Sequence, residues 1–235
     1  FIITAVFWTA LSVVGALPFF LLSSLELTLA QAVFEAVSGF TTTGATVISG
    51  LDNLPKSILY YRQQLQWLGG LGVIVLAVAV LPMLGIGGLQ LYRAETPGPM
   101  RDEKLTPRLE NTAKTLLSIY IILTVACALA YWMAGMTLFD AIGHSYSTVA
   151  TGGFSTHDAS LGYYNSPIIE LIAMIFIILG SLNFTVHFVA WRKLDLRHYW
   201  QDIQGRVFIY IVLVLIAITV VVLLWQGVYT SIWTA

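Results

Sequence analysis

Two short stretches decide the fold of this chain: Phe40-Thr-Thr-Thr-Gly-Ala-Thr46 and Ser147-Thr-Val-Ala-Thr-Gly-Gly-Phe-Ser155. Each is rich in small residues and follows an apolar run of about 12 residues, which as a helix crosses only about half of a bilayer. Backbone that leaves a helix at that depth is tolerated only where protein or a water-filled cavity surrounds it. The sequence therefore predicts two half-helices that are each followed by an extended segment, namely helices over 28–40 and 137–149 and segments over 41–46 and 150–155.

Both half-helices carry the same start signal. Thr28 precedes Gln31 and Thr137 precedes Asp140, in each case by three residues. A threonine that is followed at this distance by an amide or acid is typical of a helix N-terminus, because the two side chains satisfy free backbone N–H groups.

The two regions also repeat each other at a constant offset of 109 residues. Six of 19 aligned positions are identical, against about one or two expected by chance, and such a period indicates duplicated structural units. The identical pairs are Thr28/Thr137, Leu29/Leu138, Ala32/Ala141, Ser38/Ser147, Thr42/Thr151 and Gly44/Gly153. With a two-residue insertion, Gly69 also aligns with Gly180, where we expect close helix packing, with a helix hinge as the alternative.

The composition places these units in a membrane. Hydrophobic residues make up 58% of the 235 positions and charged residues 10%, with a mean hydropathy of +0.84. A soluble domain has about 25% charged residues, so soluble enzymes, disordered proteins and nucleic-acid-binding proteins are excluded. The single cysteine excludes a disulfide framework. Five stretches without Asp, Glu, Lys or Arg are long enough to span a bilayer: 1–25, 63–92, 115–139, 171–191 and 207–235.

The charged residues predict the orientation of the spans. Nine of the 11 basic residues lie in 93–114 and 192–206, which therefore face the cytoplasm. The opposite connections carry Lys56 and Arg62 together with six acids: Glu26, Glu35, Asp52, Asp140, Asp158 and Glu170. These acids either solvate the outer surface or form a negative vestibule that concentrates cations. His144 aligns with Glu35, and we expect both side chains to face water behind the extended segments.

This arrangement suits a cation pathway. The C-terminal end of a helix that points into the membrane carries about half a negative charge, which stabilises a dehydrating cation. Carbonyls of the extended segment can then replace the water shell of the ion. Aiming successive carbonyls at one axis requires a positive φ, which glycine adopts readily. Gly44 and Gly153 are therefore the candidates for this position in the two segments. The carbonyls of Thr42 and Thr151 are expected to contribute, whereas their hydroxyls more simply cap the helix ends.

The two quoted stretches, each between membrane spans, resemble the filters of the Trk/Ktr/HKT superfamily of potassium transporters. The resemblance implies four pore repeats arranged pseudo-fourfold around one pathway, of which this chain holds two. It implies K⁺ as the transported ion, bound by backbone carbonyls, with Gly44 and Gly153 as filter glycines. It further assigns ion binding to the carbonyls of Thr42 and Thr43 in the first repeat, and of Thr151 and Gly152 in the second.

The resemblance also implies partners. Family members form dimers in the membrane lipid and bind a soluble nucleotide-binding regulatory subunit on the cytoplasmic face, where 93–114 lies. The expected location is the bacterial inner membrane. No nucleic-acid partner and no enzymatic activity are expected. The start on Phe1 within an apolar run and the end just before a third half-helix indicate a piece of a longer chain, and half a ring of carbonyls cannot enclose an ion.

We therefore predict an all-α integral membrane protein of the potassium-channel type, built from units of outer helix, re-entrant pore helix, filter strand and inner helix. The predicted organisation is a first pore repeat (1–92), a cytoplasmic linker (93–114), a second pore repeat (115–191), a second linker (192–206) and the first span of a third repeat (207–235). Two alternatives remain. A secondary carrier that binds its solute at the midplane also has broken helices, and an intramembrane enzyme would need a nucleophile and base that face each other. Whether transport is channel-like or coupled to protons or sodium stays open.

Overall fold

The computed structural model of the chain describes residues 2–22, 25–72, 109–182 and 184–227. Regular structure in these ranges is helical throughout, so the predicted all-α class is confirmed. The chain divides into two compact units, Phe1–Ser181 and Leu182–Ala235. The first unit contains α1 (Ile2–Leu21), α2 (Leu29–Phe40), α3 (Lys56–Gly70), α4 (Leu109–Met133), α5 (Leu138–Val149) and α6 (Pro167–Ser181). The second contains α7 (Phe184–Lys193), α8 (Arg197–Gln201) and α9 (Ile203–Trp225).

The short helices α2 and α5 begin where their caps predict. Thr28 forms a complete capping box with Gln31: the Gln31 amide donates to Thr28 Oγ1 at 3.3 Å, and the Thr28 amide donates to Gln31 Oε1 at 2.9 Å. Thr137 Oγ1 accepts from the Asp140 amide at 3.2 Å and donates to Asp140 Oδ2 at 2.6 Å. These bonds satisfy backbone groups that a helix start leaves free.

Helix α3 connects the two repeats. It packs against α2 of its own repeat and against α5 of the next one. On the first side, Leu65 joins a core with Phe19 and Ala36, all of them almost fully buried. In the second repeat α5 contacts α4 and α6 as well as α3. Side chains on α3 can therefore reach the extended segments of both repeats.

Several helix bounds differ from the predicted spans. Helix α3 starts at Lys56 rather than at 63, α4 at Leu109 rather than at 115, and α9 at Ile203 rather than at 207. The first turns of these helices hold charged residues, so they fall outside the stretches without Asp, Glu, Lys or Arg that define the predicted spans. A charged residue is nevertheless compatible with a helix where it is paired or lies near water. Residues 73–108, and with them the rest of the span 63–92 and most of the linker 93–114, lie outside the described residues.

The predicted fourth span, 171–191, falls on two helices, since α6 ends at Ser181 and α7 starts at Phe184. Glycine and asparagine around this break have low helix propensity. Within the described residues, two helices are by themselves long and apolar enough to cross a bilayer, Lys114–Met133 and Ile203–Trp225. Pro167–Ser181 and Val186–Lys193 pass the same test only when they are taken together.

Candidate ion site

The first half-helix ends in a Schellman motif that has threonine where glycine is usual. The amide of Thr43 donates to the carbonyl of Ser38 at 2.9 Å, and that of Thr42 donates to Gly39 at 3.0 Å. Thr42 has φ +53°, in the left-handed region that β-branched residues rarely occupy. The chain thereby reverses sharply out of α2 into the extended segment.

The second half-helix ends in the same way. The amide of Gly152 donates to the carbonyl of Ser147 at 2.8 Å, and that of Thr151 donates to Thr148 at 3.1 Å. Thr151 has φ +54°, almost the value of Thr42. Each left-handed threonine costs about 1–3 kcal/mol, and such backbone strain concentrates at functional sites. The repeat found in the sequence is therefore a repeat of backbone conformation as well.

Gly44 and Gly153 lie against each other and outside any helix. Their φ values are +78° and +87°, which glycine adopts without strain. A Cβ atom on Gly44 would overlap the carbonyl oxygen of Gly152 and lie 3.3 Å from the Cα of Gly153. A Cβ atom on Gly153 would lie 3.8 Å from the Cα of Gly44. The structure thus brings together the glycines of the two extended segments.

The remaining candidate residues differ in exposure. Thr43, Thr151 and Gly153 are exposed, whereas Gly152 is buried beneath the amide of Gln66. The hydroxyl that caps α2 is not that of Thr42: Thr41 Oγ1 donates to the carbonyl of Val37 at 2.8 Å and lies 2.7 Å from Thr43 Oγ1.

Glu35 supports the first segment from behind. Its carboxylate accepts from Thr46 Oγ1 at 2.8 Å and from the amide of Val47 at 3.0 Å. It also forms an ion pair with Arg62, at 2.8 Å between Oε1 and Nε. The expectation that Glu35 faces water is wrong, since its exposure is 0%. A fully buried carboxylate is stable only when it is paired and hydrogen-bonded, which these three donors achieve.

His144 occupies the equivalent place behind the second segment. Its Nε2 lies 3.3 Å from Thr156 Oγ1 and 3.5 Å from Ser155 Oγ, and Thr156 in turn donates to Asp140 Oδ1 at 2.8 Å. His144 is 3% exposed, so it does not face water either. Glu35 and Asp140 are both buried, so both alternatives for the six acids, surface solvation and a negative vestibule, are wrong for these two. At both positions, hydrogen bonds from neighbouring residues replace the hydrogen bonds to water that the carboxylate loses on burial.

Two side chains of α3 reach across to the second segment. Arg62 Nη1 donates to the carbonyl of Ser155 at 3.2 Å, and the amide of Phe154 donates to Gln66 Oε1 at 3.1 Å. Neither residue is predicted as functional from the sequence, because Arg62 directly precedes a charge-free stretch and resembles an outer surface charge. The sequence does hold one indication of their shared role: a spacing of four residues places Arg62 and Gln66 on the same face of a helix.

The glycines of the inner helices fit against the half-helix ends. A Cβ atom on Gly69 would overlap the carbonyl oxygen of Phe40, the last residue of α2, and one on Gly180 would overlap that of Val149, the last residue of α5. Phe40 and Val149 are themselves equivalent at the offset of 109. Close packing, the expected role of these glycines, is confirmed, and the chain also breaks after Gly180 at the end of α6.

The comparisons with known proteins agree on one family. The family model TrkH, described as a cation transport protein, matches residues 1–234. A protein of Salmonella typhimurium named "Trk system potassium uptake protein TrkH" is 56% identical over 231 residues, which cover 98% of this chain and 48% of the relative. A protein of the same name from Halomonas elongata is 58% identical over 219 residues, 93% of this chain and 45% of the relative.

A solved structure has the same fold. The crystal structure of the potassium transporter TrkH from Vibrio parahaemolyticus matches with a TM-score of 0.80 and 49% identity, and covers 97% of this chain and 46% of that one. The chain spans about half the length of the curated relatives it matches. Since the family match extends over nearly every residue, this chain belongs to the TrkH family of cation transport proteins.

Proposed function

We propose that this chain supplies two of the four filter segments of a potassium-uptake protein. In this proposal K⁺ is bound by the backbone carbonyls of the six candidate residues, which are Thr42, Thr43, Gly44, Thr151, Gly152 and Gly153. The observation that carries it is the direct contact of Gly44 with Gly152 and Gly153, at two left-handed glycines that follow equivalent helix ends. The names of the relatives supply the ion, since they are called potassium uptake proteins.

Backbone carbonyls suit K⁺ because they replace its hydration shell without a buried carboxylate. The two buried carboxylates behind the segments are occupied by other partners: Glu35 pairs with Arg62, and Asp140 accepts from Thr137 and Thr156. Ion recognition therefore rests on main-chain oxygens, and transport in this proposal needs no covalent chemistry.

The proposal extends to the surroundings of the protein. We place it in the inner membrane of a bacterium as a homodimer, with 93–114 and 192–206 on the cytoplasmic side. A nucleotide-binding regulatory subunit would dock on that side. The basic residues concentrated in these two segments support this orientation.

The test is uptake of radiolabelled Rb⁺ into liposomes that contain the full-length protein, with and without competing Na⁺. Gly153→Ser is expected to lower the preference for K⁺ and Rb⁺ over Na⁺ while the protein still folds. Gly135→Ser is the matched control, because Gly135 also has a positive φ, +106°, but lies in a turn where no atom of the described residues comes within 4 Å of a Cβ. Unchanged selectivity in Gly153→Ser, or an equal loss in Gly135→Ser, would remove the second segment from the filter.

A further inference from the structure

We infer that Arg62 is a positioning residue that holds the two filter segments in register with each other. The inference rests on the proposed function, because it assigns Arg62 a role in ion selectivity. Arg62 itself lies behind the segments and is 0% exposed, so it acts on the ion through the backbone it holds.

On the side of the first segment, the guanidinium forms a closed set of contacts. Arg62 Nε donates to Glu35 Oε1 at 2.8 Å, and Nη2 donates to Thr46 Oγ1 at 2.9 Å. The Thr46 hydroxyl donates in turn to Glu35. The planar fork of arginine matches such a set of acceptors in a way that lysine cannot. The position of Thr46, the last residue of the first segment, is thereby tied to α3.

On the side of the second segment, the same guanidinium holds the backbone directly. Nη1 donates to the carbonyl of Ser155 at 3.2 Å, and Cζ lies 4.4 Å from the centre of the Phe154 ring. Arginine over an aromatic face is attracted electrostatically. Thr46 and Ser155 are equivalent at the offset of 109, so one side chain joins corresponding ends of both segments.

The second repeat has no such residue of its own. In the alignment that pairs Gly69 with Gly180, Arg62 corresponds to Ala173, which is 3% exposed, and Glu35 corresponds to His144. The second segment therefore depends on α3 of the first repeat for its cationic contact. A buried ion pair generally adds little net stability compared with an apolar pair. The contribution of Arg62 and Glu35 is therefore to fix the positions of the two segments.

The experiment uses the full-length protein in liposomes and measures the ratio of Rb⁺ to Na⁺ uptake. Removing Arg62 alone would leave Glu35 buried and unpaired, which is strongly destabilising. The informative variants are the double variant Glu35→Gln/Arg62→Gln, which leaves no unpaired charge, and Arg62→Lys, which keeps the charge but not the fork. Lys56→Gln is the matched control, since it removes a basic residue from the exposed first turn of the same helix.

We expect the double variant to lower the ratio about tenfold, Arg62→Lys to lower it less, and Lys56→Gln to leave it unchanged. A wild-type ratio in the folded double variant or in Arg62→Lys would overturn the inference. Failure of both variants to fold would also overturn it, because the pair would then serve stability rather than register. If Gly153→Ser changes selectivity and the double variant does not, the inference fails and the proposed filter stands.

Discussion

Gly69 lies directly against the carbonyl group of Phe40, so that the inner helix touches the last residue of the first half-helix. A Cβ atom on Gly69 would come within 3.1 Å of the Phe40 Cα as well as overlapping its carbonyl. The same contact joins Gly180 and Val149 in the second repeat. In both repeats, the absence of a side chain at this glycine allows the inner helix to lie against the backbone at the end of the half-helix.

Gly69→Ala is therefore expected to destabilise the full-length protein by about 1–3 kcal/mol, since the obstacle is backbone and cannot rotate away. The measurement is thermal unfolding in detergent micelles. Gly162→Ala serves as the control, because a Cβ atom there meets nothing within 4 Å in the part of the chain that the structure describes. Equal unfolding temperatures for the two variants would contradict the close contact.

Gln66→Leu is expected to lower the unfolding temperature of the full-length protein, because Gln66 holds the backbone of the second segment. The amide of Phe154 loses its acceptor, and a buried N–H without a partner costs about 1–3 kcal/mol. Gln63→Leu is the matched control on the same helix: Gln63 is also 0% exposed, but neither of its side-chain polar atoms has a hydrogen-bond partner among the described residues. We expect Gln63→Leu to be neutral or stabilising in thermal unfolding. Equal destabilisation by both variants would show that the Phe154 bond is not the cause.

The loops that follow the two segments are joined by a titratable contact. His157 Nδ1 lies 2.5 Å from Asp52 Oδ1, and the His157 ring stacks on Tyr163 with centroids 3.6 Å apart. Asp140 Oδ1 faces the other ring nitrogen at 3.4 Å. The bond from His157 holds the pKa of Asp52 below its ordinary value of 3.8. Asp52 thus contributes stability that is complete above pH 3.8 and is lost as the pH falls through the lower pKa of the folded state.

The unfolding temperature of the wild type is therefore expected to fall in this acidic range more steeply than that of Asp52→Asn. Glu170→Gln is the control, because it removes an exposed acid in the first turn of α6. Thermal unfolding of the three proteins from about pH 7 down to about pH 2 gives the comparison, since the loss is expected below pH 3.8. If Asp52→Asn keeps the full pH dependence of the wild type, the contact with His157 does not stabilise the fold.

Thr28→Ala removes the side-chain half of the capping box of α2, in which Thr28 Oγ1 accepts from the Gln31 amide, and leaves the bond from the residue-28 amide to Gln31 Oε1. Loss of such a cap costs about 1 kcal/mol, and we expect this decrease in the free energy of unfolding by denaturant. Thr9→Ala is the control, because Thr9 is likewise exposed and its hydroxyl donates back to the carbonyl of Ala5 within α1, away from any helix cap. A change no larger than that of the control would show that α2 is held by its packing alone.

Local signals made much of this architecture predictable. The threonine caps, the small-residue stretches and the offset of 109 residues predicted half-helices over 28–40 and 137–149, which the structure has as Leu29–Phe40 and Leu138–Val149. They also singled out Gly44 and Gly153. These features act over a few residues: a cap bonds three positions ahead, and a positive φ favours glycine at one position. The sequence therefore encodes these local features independently of how the rest of the chain folds.

Tertiary structure alone decided the roles of Arg62, Glu35 and His144. In the sequence, Arg62 and Glu35 are 27 residues apart and resemble surface charges, and Ser155 is 93 residues beyond Arg62. Whether a charge faces water or a partner depends on which helices pack together, and α3 packs between α2 and α5. Burial makes Arg62 and Glu35 require each other, because an ion taken out of water is stable only beside its counter-charge.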